Sequence, residues 1–67
     1  MVNTDKIKGR MRELRITQAD VAKVLGLRQS TVNQKINNVR GLSLDEADKL
    51  QNLLKISPLE FASYFFA

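Results

Sequence analysis

The chain has 67 residues and contains neither cysteine nor histidine, so we expect one domain over residues 1–67, no disulfide or metal site, no cofactor and no enzymatic activity. The net charge of +4 is unevenly spread: residues 1–42 hold 9 Lys and Arg against 3 Asp and Glu, and residues 43–67 hold 2 against 4. A basic first part predicts an anionic partner.

Three apolar residues recur at helical spacing and predict a first helix over residues 5–15: Ile7, Met11 and Leu14. Asn3 or Thr4 can cap this helix. Its other faces are crowded with basic side chains, most of which we interpret as solvated. Arg12 or Arg15, near the end of the helix, is a candidate for touching a phosphate.

The stretch TQADVAKVLGLRQSTVNQKINN predicts two short helices around a tight turn, at residues 18–25 and 29–37. Two helices that cross steeply need a small side chain at their closest approach, and Ala22 provides it. Gly26 can take the left-handed conformation that ends the first helix, and Val32 closes the angle from the second. Together these positions predict a helix-turn-helix.

These residues resemble the phage Cro and cI repressors and the wider bacterial group of small repressor-like regulators. TQADVAKVLG is similar to their second helix and QSTVNQ to their recognition helix of the Cro type, and the resemblance covers roughly residues 7–56. It implies an all-α, five-helix lambda-repressor-like DNA-binding domain. Lys35 stands at a position where the motif usually has an apolar residue, and Ile36 could fill that apolar space instead. Met11 and Ile36 stand where many relatives have an ion pair, which an apolar contact would replace.

Polar side chains on the outer face of the 29–37 helix are candidates for reading base edges in a major groove. Their amides and hydroxyls can donate and accept hydrogen bonds, and an amide can pair with adenine N7 and N6 together. The alternative is an ordinary solvated helix face. The predicted base-contacting residues are Gln29, Ser30, Asn33 and Gln34, with Thr31 contributing through its methyl group.

A second group of residues is predicted to contact DNA phosphates: Thr17, Gln18, Arg28, Lys35, Asn38 and Arg40. Thr17 caps the second helix, and the resemblance implies that Gln18 binds a phosphate at that helix N-terminus. The other four surround the recognition helix. Removing one of them should weaken binding to all sequences alike.

Two further helices are predicted after a turn-rich connection. Ser43 and Glu46 form a capping box that opens a helix over residues 44–54. Ser57 and Pro58 open the last helix, over residues 58–66. The apolar face of the fourth helix is expected to be core: Ala47, Leu50, Leu53 and Leu54.

All four aromatic residues lie within the last seven positions: Phe61, Tyr64, Phe65 and Phe66. On a helix, Phe61 and Phe65 share a face while Tyr64 and Phe66 point elsewhere, so a small core should not hide all four. We expect Leu59, Ala62 and Phe65 to help close the core. The aromatic group is the predicted dimer interface, since an exposed apolar surface favours a partner and most simply a second copy.

The resemblance implies a sequence-specific regulator of transcription that binds double-stranded DNA, most simply a Cro-like phage or prophage repressor bound to palindromic operators as a dimer. The shortness of the chain favours the Cro-like role, although the same module could activate or form half of a longer protein. The alternative is an interaction protein of antirepressor or antitoxin type. No apolar run reaches the length of a signal peptide or membrane span, so we expect the protein to be located in the cytoplasm of a bacterial host cell.

Overall fold

The computed structural model describes residues 1–66. Helices are the regular secondary structure of this range, and one 3₁₀ turn, Pro58–Glu60, precedes the last of them. The five α-helices are α1 (Thr4–Leu14), α2 (Gln18–Leu25), α3 (Gln29–Ile36), α4 (Leu44–Leu53) and α5 (Phe61–Phe65). The predicted all-α, five-helix class is therefore confirmed. Within this range, the structure has no helix that is both long and apolar enough to cross a membrane.

Side-chain caps determine where the helices begin. Asn3 caps α1 by accepting the Lys6 N–H, so the helix begins at Thr4, one residue earlier than predicted. The Ser43 hydroxyl accepts the Glu46 N–H and the Glu46 carboxylate accepts the Ser43 N–H, which is the predicted capping box of α4. Such caps satisfy backbone donors that have no partner within the helix.

Left-handed residues determine where two of the helices end. Gly26 ends α2 with φ 68°, as predicted, and Arg15 ends α1 with φ 56°. Asn38 takes φ 63° two residues after α3. Lys55, which follows α4, is a third non-glycine residue with positive φ, at 52°. This conformation is nearly strain-free for glycine and costs other residues more.

One hydrophobic cluster joins all five helices, and α2 packs against both α3 and α4. Met11 and Ile36, which stand at the family's ion-pair positions, are 6% and 2% exposed and both belong to this cluster. The buried residues are Val2, Ile7, Met11, Val21, Ala22, Val32, Ile36, Ala47, Leu50, Leu54, Ile56, Tyr64 and Phe65.

The C-terminal region departs from prediction in shape and in packing. Residues 58–60 form a 3₁₀ turn, which advances 120° per residue instead of the 100° of an α-helix. Residues 58–66 therefore do not share the apolar face expected of one continuous α-helix. Leu59 is 96% exposed and Ala62 is also exposed, so the prediction that they close the core is wrong. Tyr64 and Phe65 are buried instead, and Phe66 is 62% exposed.

The N-terminal segment ties the end of α3 to α5. Val2 donates its N–H to Asn38 Oδ1 at 2.8 Å, and Asn38 Nδ2 donates to the Val2 carbonyl at 3.0 Å. The next residue, Asn3, donates its N–H to the Tyr64 carbonyl at 2.7 Å. Thr4 donates its hydroxyl to the last carbonyl of α3 at 2.6 Å. These bonds hold the C-terminal end of α3 against the N-terminal segment.

Candidate nucleic-acid interface

Helix α3 turns an apolar side inward and a polar side outward. Val32 and Ile36 are 1% and 2% exposed and anchor the helix in the core. Of the five predicted base-contacting residues, Gln29, Ser30 and Asn33 are exposed, whereas Thr31 and Gln34 are half-buried. Gln29 and Ser30 lie in the first turn of α3 and Asn33 lies one turn after Gln29. The three exposed side chains therefore share one polar side of the helix.

Gln18 links the start of α2 to this surface. Asn33 Nδ2 donates to Gln18 Oε1 at 3.4 Å, across fifteen residues of sequence. One predicted phosphate-binding residue and one predicted base-contacting residue are therefore brought together. The contact leaves Asn33 Oδ1 to accept a hydrogen bond from outside the protein.

Thr17 is exposed and caps α2. Its N–H and hydroxyl donate to Asp20 Oδ2 at 2.8 and 3.0 Å, and its hydroxyl accepts the Asp20 N–H at 3.2 Å. The Thr17 backbone N–H, and then its hydroxyl, hold the pKa of the Asp20 carboxyl below its ordinary value. Thr17 therefore starts α2, and its contact with a phosphate stays a prediction.

Lys35 is also engaged inside the protein. Its Nζ lies 2.9 Å from Glu46 Oε1 and 2.8 Å from the Gly41 carbonyl oxygen, and the two charged side chains are only 14% and 17% exposed. The Ser43 N–H, followed by Lys35, lowers the pKa of Glu46. This ion pair joins the last turn of α3 to the first turn of α4, so the Lys35 ammonium has two partners inside the protein, and its contact with a phosphate stays a prediction.

Asn38 is the third phosphate candidate whose side chain has partners within the protein. Both ends of its side-chain amide bind the backbone of Val2, at 2.8 and 3.0 Å. These bonds compensate for its left-handed backbone. Since the amide is already paired, Asn38 positions α3, and its contact with a phosphate stays a prediction.

Two arginines border α3 at its ends. Arg28 is the exposed N-cap residue, and its side chain makes no capping hydrogen bond within residues 1–66. Arg40 is exposed after the C-terminal end, where its N–H donates to the Gln34 carbonyl at 3.2 Å. Gln18, which accepts a hydrogen bond from Asn33 on the same surface, is the third phosphate candidate that adjoins α3. Arg12 and Arg15 are exposed as well.

Two polar contacts between distant residues are not predictable from local sequence patterns. The capping box identifies Glu46, but Lys35 lies eleven residues away and no local pattern joins the two. Likewise, Arg10 donates to the Leu54 carbonyl at 2.9 Å and thereby satisfies the end of α4. In the part of the chain that is described, no three acidic, histidine or cysteine residues are placed to hold a metal ion.

The crossing of α2 and α3 around Gly26 defines a helix-turn-helix domain, and comparison with known families gives the same class. The model of the helix-turn-helix family matches residues 7–61, well over half of the chain. The chain therefore belongs to the helix-turn-helix family of the Cro/C1 type, with a lambda-repressor-like fold. It is a DNA-binding regulator of transcription, from a family of regulators and not of enzymes. A comparison with curated proteins found no match.

Proposed function

We propose that the protein is a Cro-like phage or prophage repressor that acts in the cytoplasm of its bacterial host. In this proposal two copies bind a palindromic operator, each with α3 in the major groove of one half-site. The observation that carries the proposal is the exposed polar face of α3 with arginines at both of its ends.

Gln29, Ser30 and Asn33 are the proposed base-reading residues. Gln29 and Ser30 lie at the leading end of α3, where a recognition helix enters deepest, and Asn33 follows one turn later. The contact between Asn33 and Gln18 supports this role because it orients the Asn33 amide before DNA is bound. Thr31 and Gln34 are half-buried and are assigned a secondary part.

Gln18, Arg28 and Arg40 are the proposed phosphate-binding residues. An eight-residue helix such as α3 is ~12 Å long, and the major groove of B-DNA is ~12 Å wide. Arg28 lies before the helix, and the Arg40 N–H bonds to the Gln34 carbonyl at the end of the helix. In the proposal the two arginines contact phosphates at opposite ends of α3.

The test begins with selection of duplexes from a random pool by the purified protein. Affinities are then measured for a selected and an unselected duplex with Gln29→Ala, Asn33→Ala and the control Asn52→Ala, which removes an exposed asparagine from α4. We expect the first two variants to lose roughly 10- to 100-fold on the selected duplex and little on the unselected one. Failure to enrich any sequence, or wild-type affinity of both α3 variants, would contradict the proposal.

A second candidate function, binding to another protein, is favoured by the apolar side chains left outside the core. Leu59 and Phe66 are 96% and 62% exposed, whereas burial of Tyr64 and Phe65 removes half of the aromatic interface that the sequence predicts. An antirepressor or antitoxin should form a hetero-complex that persists without DNA. Loss of that complex in Leu59→Gln, with DNA binding intact, would favour this function.

A further inference from the structure

We propose that Thr4, the first residue of α1, is a positioning residue for base recognition by α3. Its hydroxyl holds the C-terminal end of α3 in the orientation in which the polar side of that helix meets base edges. Thr4 itself touches no base in this proposal and acts through the Ile36 carbonyl. The inference rests on the proposed function, because it assigns what holds the proposed base-reading helix.

The carbonyl groups at the end of α3 show what Thr4 contributes. The last four carbonyls of an α-helix have no partner within the helix. Those of residues 33–35 accept backbone N–H groups of residues 37–40, directly after the helix, at 2.8–3.3 Å. The last carbonyl, that of Ile36, instead accepts the Thr4 hydroxyl at 2.6 Å, from a residue thirty-two positions earlier. The end of α3 is therefore completed by a side chain of another helix.

Thr4 is itself held in place. It is half-buried, and its hydroxyl also accepts a hydrogen bond from Asn38 Nδ2 at 3.3 Å. Asn3, directly before it, donates its N–H to the Tyr64 carbonyl on α5 at 2.7 Å. The helix that Thr4 begins is anchored in the core by the fully buried Ile7. The Thr4 hydroxyl is thus attached to a fixed part of the fold and resists movement of the end of α3.

The consequence concerns base contacts more than phosphate contacts. Helix α3 has eight residues and is ~12 Å long, so a tilt of ~5° moves one end by ~1 Å relative to the other. A base contact depends on a hydrogen-bond distance of ~2.7–3.2 Å and on its direction, so such a shift weakens it. The long side chains of Arg28 and Arg40 have several rotatable bonds and can follow the shift. Loss of the Thr4 hydroxyl should therefore reduce affinity for the selected sequence more than for other DNA.

The expected loss of discrimination is limited by the hydrogen bond itself. DNA must restore the orientation that the bond maintains in the free protein, and one hydrogen bond corresponds to roughly a 3- to 10-fold change in an equilibrium constant. A role in stability alone predicts a different result. Unfolding removes the same fraction of protein from both duplexes, so the ratio of the two affinities would stay unchanged.

The test measures the ratio of affinities for the selected and the unselected duplex in Thr4→Val, Thr4→Ser and the matched control Gln51→Met. Thr4→Val removes the hydroxyl and keeps the shape of the side chain, whereas Thr4→Ser keeps the hydroxyl. Gln51 Nε2 donates to the Ile56 carbonyl after α4 at 3.2 Å, so Gln51→Met removes a comparable bond away from α3. At a temperature at which every variant is folded, we expect Thr4→Val to lower the ratio roughly 3- to 10-fold and the other two variants to stay within about twofold of wild type.

Hydrogen exchange gives a readout that does not depend on DNA. The amides of residues 37–39 directly follow the Ile36 carbonyl. We expect them to exchange faster in Thr4→Val by more than the change in global stability requires, because the end of α3 opens locally. Gln51→Met should not show this local effect.

Three results would overturn the inference: an unchanged ratio in Thr4→Val, an equal loss in Thr4→Ser, or an equal loss in Gln51→Met. Failure of the proposed function would look different, because wild-type protein would then not distinguish the two duplexes. In that case unchanged exchange at residues 37–39 in Thr4→Val would overturn the positioning role, and faster exchange would support it.

Discussion

Removal of the Glu46 carboxylate tests how α3 is held in place. Glu46 Oε1 binds Lys35 Nζ and the Ser43 N–H, both at 2.9 Å. In Glu46→Ala both bonds are lost, and within the described residues the Lys35 ammonium, in a side chain only 14% exposed, keeps the Gly41 carbonyl as its partner. The loss of one member of a mostly buried ion pair costs more than the pair contributes, because the remaining charge is left poorly solvated.

The expected loss of stability is large for a domain of this size. Breaking a fully buried pair costs ~3–5 kcal/mol, and the residual exposure of both side chains reduces this to about 2–3 kcal/mol. The whole domain should have an unfolding free energy of roughly 3–10 kcal/mol. At ~4–8 °C per kcal/mol, we expect Glu46→Ala to lower Tm by about 10–20 °C. Glu46→Gln keeps an acceptor and should cost about 1 kcal/mol.

The assay is thermal and urea unfolding followed by helical circular dichroism, with Asp45→Ala as the matched control. Asp45 lies next to Glu46 on α4 and pairs with Lys49 at 3.3 Å, but the two side chains are 77% and 48% exposed. Solvent screening should keep the cost of Asp45→Ala below about 1 kcal/mol. Equal losses of unfolding free energy in the two alanine variants would refute the reasoning that burial makes the Lys35–Glu46 pair important for stability.

The pH dependence of stability gives an independent check on Glu46. The Ser43 N–H, and then Lys35, lower the pKa of Glu46 from its ordinary value of 4.5. The Glu46 carboxylate therefore binds a proton more weakly in the folded state than in the unfolded chain. The stability that the ionised carboxylate contributes is present above pH 4.5 and is lost as pH falls through the lower pKa of the folded state. Glu46→Gln should flatten that part of the curve. An unchanged acid transition would contradict the assignment.

Three further predictions concern the turns and the arginines. Gly26→Ala should cost ~1–2 kcal/mol in urea unfolding through backbone strain alone, because φ is 68° and an added Cβ would meet nothing within 4 Å among residues 1–66; a cost near zero would contradict this. Arg15→Gly should stabilise the fold by up to about 1 kcal/mol, whereas Asn38→Gly should destabilise it because both bonds to Val2 are lost. A change of the unfolding free energy in the same direction in both variants would contradict this prediction. Arg40→Ala should weaken binding to selected and random duplexes equally and lower the slope of log K against log salt by ~1. A loss of affinity confined to the selected duplex would count against a phosphate contact.

Much of the fold could be predicted because its signals are local. The capping box of Ser43 and Glu46 lies within four residues, and Gly26 marks the end of α2 by its own conformational freedom. Helices α1 to α4 accordingly begin and end within one residue of their predicted bounds. The last helix was less predictable, since Pro58 is compatible with the start of either an α-helix or a 3₁₀ turn and the choice depends on how the aromatic residues pack.

The candidate site was predictable only in part. Val32 and Ile36 identify the buried side of α3, and so leave Gln29 and Asn33 on the outer side by helical periodicity. Periodicity does not tell which exposed polar side chains already have partners. Lys35 stands at a position of the motif that is usually apolar, but no local pattern identifies Glu46 as its partner.

The helices, the helix-turn-helix and the polar face of α3 follow from local sequence, because caps, turn residues and apolar spacing act over a few residues. Which side chains are buried or already paired within the protein depends on how distant segments pack. Asn38 is occupied by Val2, thirty-six residues away, and Tyr64 is buried while Leu59 is exposed. Those outcomes depend on contacts between distant segments, whose partners no local pattern specifies.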